Sequence, residues 1–287
     1  MDVNSKYSLI SLDDYVQTGE GGTALTYNNK NGKTLAKLFF KGVGADTAER
    51  EFLINKVVYD LGLPTPEPIR LVTDGERVGA EYELIPSKRS FTRIIYQEPG
   101  QLRPLSVRFA RLARQIHQTP ADTKRLPDMC ELVRGWIPRC ENLPDEYKDR
   151  FLRFLNTVPS EPRCLHGDLH IGNIITDGSR DLWIDVGDFA YGVPEWDLCM
   201  MYYISKFLPP ERADNIFHLD NETLREHWDI FAREYYQTDS EEELDAHVQR
   251  LHPFIATKIL YSIAKLHDGK VEITDGLLRL FDNYLVY

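Results

Sequence analysis

The first third of the chain alternates short β-rich runs with turns. TALTY and TLAKLFF flank NNKNGK, whose Asn-Gly pair predicts a hairpin turn, and IRLVTD and RVGAEYELI flank Asp74-Gly75. Residues 45–62 carry an apolar stripe at helical spacing that closes at Gly62 and Pro64. This pattern predicts a small antiparallel sheet with one main helix.

From Pro86 onward the pattern changes to helical periodicity. One stripe at helical spacing consists of Leu105, Phe109, Leu112 and Ile116. Further helical patterns cover residues 147–155, 196–207, 222–236, 241–266 and 276–284. We therefore predict an α+β protein with an N-terminal part of residues 1–85, a C-terminal part of residues 86–287, and a boundary at residues 83–88.

Two charged residues stand at positions that the apolar pattern assigns to buried faces. Strand alternation puts Lys37 on one face with Leu35 and Phe39, and Glu51 falls in the apolar stripe of the helix. Because an unpaired buried charge is costly, we predict that Lys37 and Glu51 form one buried ion pair. The alternative is that each long side chain reaches solvent on its own.

A second hairpin is predicted where NIIT and DLWIDV flank Asp177-Gly178. Asn173 and Asp185 lie symmetrically about residue 179, so we expect them to face each other across the open end of the hairpin. Their amide and carboxylate oxygens are ligands that suit Mg²⁺. The alternative is a chance pairing on a solvated hairpin end.

Two further segments are candidates for chemistry. In LHGDLHIGNII, residues 165–175, an apolar run is broken by His166, Asp168, His170 and Asn173. This segment is either a surface turn between strands or a reactive loop. In GEGGTA, Gly19 and Gly21 would let backbone N–H groups approach a phosphate, although glycine-rich turns are also common without one.

Charge and composition narrow the functional classes. A net charge of −11 argues against general nucleic-acid binding, which needs a basic surface. No stretch approaches the roughly 18 consecutive apolar residues of a membrane span, and the four cysteines form no C-x-x-C pair. We expect a cytoplasmic protein without a membrane partner. Residues 211–250 hold twelve acids and four arginines, which would suit either a cationic substrate or a solvated helical face.

The order of these features is similar to that of a known family. Glycine turn, strand lysine, helix glutamate, linker, H-G-D-x-x-x-x-N and I-D-x-G resemble the protein-kinase-like superfamily, most closely its aminoglycoside phosphotransferase branch, which includes choline, homoserine and fructosamine kinases. The resemblance runs from about Gly19 to Leu198 and is most specific in HGDLHIGN and WIDVGDFAYGVPEWDL. It implies a two-lobed kinase-like fold, with a small antiparallel-sheet N-lobe carrying one main helix and a larger, mostly helical C-lobe.

The resemblance also implies an activity and the residues that carry it. The protein would be an ATP- and Mg²⁺-dependent kinase that phosphorylates a hydroxyl of an aminoglycoside, sugar or amino alcohol, with GTP as the other candidate donor. Asp168 would accept or orient the proton of the acceptor hydroxyl. Lys37, positioned by Glu51, would bind the α- and β-phosphates, and Asn173 and Asp185 would hold Mg²⁺.

The resemblance implies further roles around the nucleotide and the catalytic loop. Gly19 and Gly21 would form the phosphate turn, and residues 83–85 would form a hinge at which Glu83 and Ile85 meet the base. His166 and Asp197 would support the catalytic loop, and His170 would have an orienting role.

Four positions depart from the superfamily pattern. Ala24 replaces the third glycine of G-x-G-x-x-G, Gly167 replaces the arginine of H-R-D, D-F-G becomes D-V-G, and Val193 stands where the family often has Asp. The second and third departures are usual in the small-molecule branch.

Two other functions stay open on the sequence alone. A metal-dependent hydrolase could use His166, Asp168 and His170 as a compact ligand cluster, but that reading leaves Lys37 and Glu51 unexplained. A non-catalytic nucleotide-binding module is the second alternative. The sequence predicts neither the role of Asp188 nor the oligomeric state.

Overall fold

The computed structural model describes residues 6–286. In chain order its strands are β1 (Ser8–Leu9), β2 (Tyr15–Glu20), β3 (Ala24–Asn29), β4 (Thr34–Phe39), β5 (Pro68–Thr73), β6 (Val78–Glu83), β7 (Arg89–Ser90), β8 (Cys164–Leu165), β9 (Ile174–Thr176), β10 (Asp181–Trp183) and β11 (Ala190–Tyr191). Its α-helices are α1 (Ala45–Asp60), α2 (Phe91–Gln97), α3 (Leu102–Gln118), α4 (Met129–Trp136), α5 (Asp145–Thr157), α6 (Glu195–Phe207), α7 (Pro210–Phe217), α8 (Asn221–Tyr236), α9 (Glu241–Leu266) and α10 (Asp275–Tyr284).

The chain divides into two compact units. The first comprises the residues up to Ser90 together with Asn173–Asp188, and the second comprises Phe91–Gly172 and the residues from Phe189 onward. The predicted boundary at residues 83–88 assigns residues 173–188 to the C-terminal part, whereas the structure groups them with the first unit. The reason is strand pairing, since β9 hydrogen-bonds to β7 as well as to β10.

The first unit is built on a six-stranded sheet in the order β1-β5-β6-β4-β3-β2. Its neighbouring strands are antiparallel except β1, which runs parallel to β5. Buried side chains from several strands form a core of Ile10, Tyr15, Tyr27, Ala36, Leu38 and Val72. The predicted hairpins and helix are therefore confirmed, but β1 and its parallel pairing were missed because a two-residue strand carries no periodicity to read.

The first unit also holds a three-stranded sheet in the order β10-β9-β7. On it, Ile85, Ile175 and Leu182 are buried together, with the half-buried Ile184 packed against them. This apolar cluster fixes the segment that follows β6 against the β9–β10 hairpin, so both contribute to one face of the unit.

The second unit is mostly helical, with one short antiparallel pair of β8 and β11. Phe109 on α3 packs against Phe231 on α8, and Phe254 on α9 lies edge-on to both Phe154 and Trp196. The six predicted helical patterns correspond to α3, α5, α6, α8, α9 and α10. Helices α2, α4 and α7 have only seven or eight residues each and were not predicted, since two turns are too short to establish a period.

Helix ends in the second unit carry side-chain caps. Asp220 accepts a hydrogen bond from the N–H of Thr223 at the start of α8, and Ser240 accepts one from Glu243 at the start of α9. Within residues 6–286, no helix combines the length and apolar character required to traverse a bilayer.

Candidate active site

A cavity of about 400 Å³ lies within the first unit. Its walls come from the glycine turn, β4, α1, β6 and the β9–β10 hairpin, and they include Gly19, Gly21, Lys37, Glu51, Glu83, Ile85, Asn173 and Asp185. These eight residues were singled out from the sequence in five separate segments. The fold brings all of them to one hollow of the size that small ligands occupy.

Lys37 and Glu51 are joined by an ion pair on one wall of the cavity. The Lys37 ammonium donates to Glu51 Oε1 at 2.8 Å and lies 3.5 Å from Asp185 Oδ1. Burial lowers the pKa of Lys37, but the carboxylates of Glu51 and Asp185 more than offset that effect, so the pKa lies above its ordinary value. The lysine therefore carries a permanent positive charge inside the cavity.

Gly187 of the D-V-G segment explains how Glu51 keeps its place. A Cβ atom added to Gly187 would lie 2.7 Å from Cγ of Glu51, closer than real Cβ contacts. A larger residue would require either the Glu51 side chain or the backbone at Gly187 to shift. Asp185, two residues earlier, has a φ of 56°, a left-handed conformation that non-glycine residues seldom adopt. The strained backbone turns the chain just where the carboxylate lines the cavity.

The predicted register of the β9–β10 hairpin is wrong by one residue. Thr176 pairs with Asp181 and Ile174 with Trp183, and the N–H of Ile184 donates to the carbonyl of Asn173 at 2.9 Å. Asn173 therefore stands opposite Ile184 and not opposite Asp185.

The cause of the shift is the turn, and its consequence for the cavity is small. Asp177 accepts hydrogen bonds from the backbone N–H groups of Ser179 and Arg180, which closes a four-residue connection centred between Gly178 and Ser179. Asn173 and Asp185 nevertheless both line the cavity, because the left-handed turn at Asp185 follows the last paired strand residue.

The glycine turn differs from its predicted role in one detail. The N–H of Gly21 donates to the carbonyl of Ala24 at 2.9 Å, so it closes the turn instead of pointing toward a ligand. Gly19 pairs with Thr26 in the ladder between β2 and β3. Ala24 is buried against Phe39 and Ala48, which accounts for a methyl group where the superfamily pattern has glycine.

The segment after β6 supplies a mostly apolar wall. Ile85 is buried against Ile175 and Leu182, while the Glu83 carboxylate faces Arg180 at 3.1 Å. The backbone N–H of Glu83 donates to the carbonyl of Glu67, and that of Leu84 donates to Lys33. A flat aromatic ring would find an apolar surface here.

The second unit contains the loop that carries Asp168. The side chain of Asp168 is about half exposed, at 53%, and its carboxylate lies 3.5 Å from Nε2 of His170. Burial raises the pKa of Asp168, but the hydrogen bond and charge of His170, followed by the charges of His166 and Lys258, lower it well below its ordinary value. Asp168 is therefore an ionised acceptor at physiological pH.

The two histidines of this loop hold backbone groups. Nδ1 of His170 accepts from the N–H of Gly172 at 3.1 Å, which leaves the proton of the neutral ring on Nε2, facing Asp168. His166 is fully buried against Phe189, and its Nδ1 accepts from the N–H of Asp168. Among residues 6–286, no three His, Cys, Asp or Glu side chains group as a metal site.

Asp197 is buried beneath the same loop. It accepts from the N–H of His166 at 2.7 Å, from the N–H of Gly167 at 2.9 Å, and from Nε2 of His117 at 3.0 Å. Burial raises the pKa of its carboxyl, but the hydrogen bond and charge of His117, then the charges of His166 and Lys258, lower it overall. An ionised carboxylate with three donors fixes the backbone immediately before Asp168.

Two residues at the loop were not found from the sequence, His117 and Lys258. His117 bridges Asp197 and the hydroxyl of Tyr235, and Lys258 donates to the carbonyl of Gly167 at 2.8 Å. A signal for Lys258 exists, since it is a charged residue within the apolar run PFIATKILYSIA of α9. The same kind of signal marked Lys37.

Kinase-like phosphotransferases bind phosphate with a cavity lysine that is paired with a helix glutamate. An α+β fold that carries this pair therefore indicates a kinase-like phosphotransferase. Sequence comparison makes the assignment specific. Residues 17–256 match the phosphotransferase enzyme family (APH), and the chain belongs to that family. The prediction of a small-molecule phosphotransferase is thereby confirmed. Comparison with curated proteins gives no match.

Solved structures share the fold at low sequence identity. Choline kinase LicA from Streptococcus pneumoniae has a TM-score of 0.56 at 15% identity, covering 97% of this chain and 93% of its own. The gentamicin complex of APH(2")-IIa has a TM-score of 0.58 at 16% identity, covering 96% and 92%. Amicoumacin kinase hAmiN has a TM-score of 0.60 at 14% identity, covering 98% and 91%. These likenesses confirm the predicted kinase-like fold.

Proposed function

We propose that the protein is a kinase that transfers the γ-phosphoryl group of ATP, with Mg²⁺, to a hydroxyl of a small molecule. The observation that carries the proposal is the position of the Lys37 ammonium, 2.8 Å from Glu51 and 3.5 Å from Asp185, in the wall of the first-unit cavity. A fixed positive charge in a partly enclosed site is what the phosphates of a nucleotide need.

Residues of the cavity also fit a divalent cation. Asn173 and Asp185 offer one amide and one carboxylate oxygen, and Mg²⁺ commonly takes one or two protein oxygens with phosphate and water oxygens completing its shell. When bound, the metal would neutralise charge on the phosphates. Lys37 would neutralise further phosphate charge, and Glu51 would keep the Lys37 side chain extended toward the phosphates.

Asp168 would receive the acceptor hydroxyl. Its lowered pKa makes it a weak base in the free protein, so its role is to orient the hydroxyl and accept the proton as the oxygen–phosphorus bond forms. His170 Nε2–H holds one side of the carboxylate, which leaves the other lone pairs for the substrate.

The proposed acceptor is a polyhydroxylated or amino-alcohol compound that carries an amine. Similar structures were solved with gentamicin, streptomycin and amicoumacin, which supports this class. The acidic run of residues 211–250 gives less support, because Glu241, Glu242 and Glu243 occupy the first turn of α9, where the helix dipole favours carboxylates. Asp229 and Glu234 are likewise paired, with Lys206 and Arg111.

An ADP-release screen tests the proposal. ATP and GTP are each offered with gentamicin, streptomycin, choline, ethanolamine, simple sugars and nucleosides, with Mg²⁺ or with EDTA. We expect one class of acceptor to raise the release of ADP from ATP, or of GDP from GTP, in a Mg²⁺-dependent manner. Nucleotide binding without release for any acceptor would indicate a non-catalytic module, and stoichiometric zinc without nucleotide binding would indicate the hydrolase.

A further inference from the structure

Lys258 is a buried cation that the proposed chemistry does not use. It lies in the middle of α9 with only 4% of its surface exposed. Its ammonium donates to the carbonyl oxygen of Gly167 at 2.8 Å, and it also lies 3.7 Å from the sulfur of Met129 and 5.5 Å from the centre of the Tyr261 ring. The only oxygen it binds among the described residues therefore belongs to the backbone of the Asp168 loop.

A lysine is a costly residue to bury at this position. Among residues 6–286, no carboxylate lies within 4.0 Å of the Lys258 ammonium. Removing such a group from water costs several kcal/mol. The Gly167 carbonyl and, at longer range, the charges of Asp168 and Asp197 offset that cost. An apolar side chain of similar length would fill the same space but would leave the Gly167 carbonyl without this donor.

The carbonyl that Lys258 binds is part of the peptide that carries Asp168. Gly167 has a φ of 83°, and a glycine can leave this conformation more easily than other residues can. Its N–H is held by Asp197 at 2.9 Å, and its carbonyl is held by Lys258 at 2.8 Å. The next N–H, that of Asp168, donates to His166. The peptide plane is therefore fixed at its carbonyl by Lys258 and at its N–H by His166.

We propose that Lys258 is a positioning residue for Asp168: its ammonium holds the Gly167 carbonyl and prevents the Gly167–Asp168 peptide from rotating. The inference rests on the proposed function, because it assigns Asp168 to the reaction. Rotation of that peptide would swing the Asp168 side chain away from its position beside His170. A displacement of about 1 Å at a reacting group can cost about 100-fold in rate. The positive charge of Lys258 also adds to the larger effects of His170 and His117 that lower the pKa of Asp168 and Asp197, respectively.

Three variants separate positioning from packing. Lys258→Met keeps the length and removes the charge and the donor, and Lys258→Arg keeps both. Lys265→Met is the matched control, because it makes the same chemical change two turns later on α9, beside the same Tyr261 ring and away from the loop. Thermal unfolding is measured first. We expect Lys258→Met to stay folded with a lower Tm, since it leaves the Gly167 carbonyl without its donor and removes a charge that interacts with the buried Asp197.

The first readout does not depend on catalysis. Hydrogen–deuterium exchange is followed in peptides that cover residues 164–172. We expect faster exchange in this segment for Lys258→Met, with unchanged exchange elsewhere in the second unit, and exchange close to that of the wild type for Lys258→Arg and Lys265→Met. Unchanged exchange in Lys258→Met would overturn the proposal, whatever the activity of the protein.

The second readout is turnover of Mg²⁺-ATP with the acceptor that gives the fastest ADP release, or with water if none does. We expect kcat to fall about 10- to 100-fold in Lys258→Met while KM for ATP stays within about twofold, with partial recovery in Lys258→Arg. A wild-type kcat in Lys258→Met would overturn the proposal. Absence of turnover in the wild type would count against the proposed function, and the exchange result would then decide the loop contact separately.

Discussion

The two units hold their functional residues in different ways. In the first unit, side chains form direct ion pairs: Lys37 binds Glu51, which lies 14 positions later in the sequence, on a partly exposed cavity wall. In the second, Asp168 is placed through its backbone, by buried groups 30 and 91 positions from Gly167 along the chain. Under the proposed function, side chains of the first unit would bind a flexible triphosphate, whereas the rigid loop of the second unit would align the acceptor hydroxyl.

The largest effect should come from removing the Asp168 carboxylate. Asp168→Asn keeps the size of the side chain and its place beside His170, but it removes the proton acceptor. We expect kcat to fall by about 100-fold or more with nearly unchanged Mg²⁺-ATP binding, measured by steady-state kinetics and calorimetry. Asp149→Asn, an exposed change on α5, is the control. Wild-type turnover in Asp168→Asn would show that Asp168, and with it the loop of the second unit, takes no part in the reaction.

The next effect concerns the metal. Asp185→Ala removes the carboxylate that lines the cavity and lies near Lys37, so Mg²⁺ should no longer strengthen nucleotide binding. Calorimetric titration of ATP with and without Mg²⁺ measures the difference. Asp181→Ala removes the same charge from the same hairpin and should keep the Mg²⁺ dependence. If Asp185→Ala keeps it too, the metal is held elsewhere.

A smaller effect should follow from crowding the ion pair. In Gly187→Ala the new Cβ would meet Cγ of Glu51 and displace it from Lys37. Because Lys37 stays in place with Asp185 nearby, we expect a loss of about tenfold in kcat/KM, mainly through KM for ATP. Gly100→Ala, where a Cβ meets no atom within 4 Å, should change nothing. An unchanged KM in Gly187→Ala would show that the Lys37–Glu51 pair does not set nucleotide affinity.

The last effect is on stability at acid pH, not on turnover, and comes from a buried group of the second unit outside the loop. Burial lowers the pKa of His227 from 6.5 to about 3, and its Nδ1 contacts the hydroxyl of Ser106. As the pH falls through 6.5, His227 therefore takes up a proton in the unfolded chain but stays neutral in the folded chain. This contribution to stability is complete above pH 6.5 and is lost at about 1.4 kcal/mol per pH unit as the pH falls toward 3.

Urea unfolding at several pH values measures that slope. In His227→Phe the free energy of unfolding should fall less steeply between pH 6.5 and 4, because the proton that His227 takes up on unfolding no longer contributes. Equal slopes in the two proteins would mean that His227 is solvated or protonated in the folded state.

Much of the first unit could be predicted because its signals are local. Asn-Gly and Asp-Gly turns predicted the hairpins. Lys37 and Glu51 each stand at a position that the apolar pattern assigns to a buried face, and this predicted their ion pair. The β9–β10 register failed because symmetry about residue 179 ignored how the Asp177 side chain closes the turn. In a hairpin the turn type and the loop length fix the register of the two strands.

Much of the second unit's loop could not be predicted because its partners are remote. Nothing near His166 or Gly167 in the sequence points to His117 on α3 or to Lys258 on α9. A buried charge within an apolar helix shows that a partner must exist, but only the packing of that helix identifies the partner. The resemblance supplied Asp197, and the structure supplied the residues that hold it.

Phosphorus NMR of a reaction containing the protein, ATP, Mg²⁺ and the acceptor panel tests the central claim most directly. The account predicts that the γ-phosphate signal is replaced by a phosphomonoester signal of one acceptor, at a rate that falls in Asp168→Asn. Conversion of ATP to inorganic phosphate alone, or no conversion with any acceptor, would contradict it.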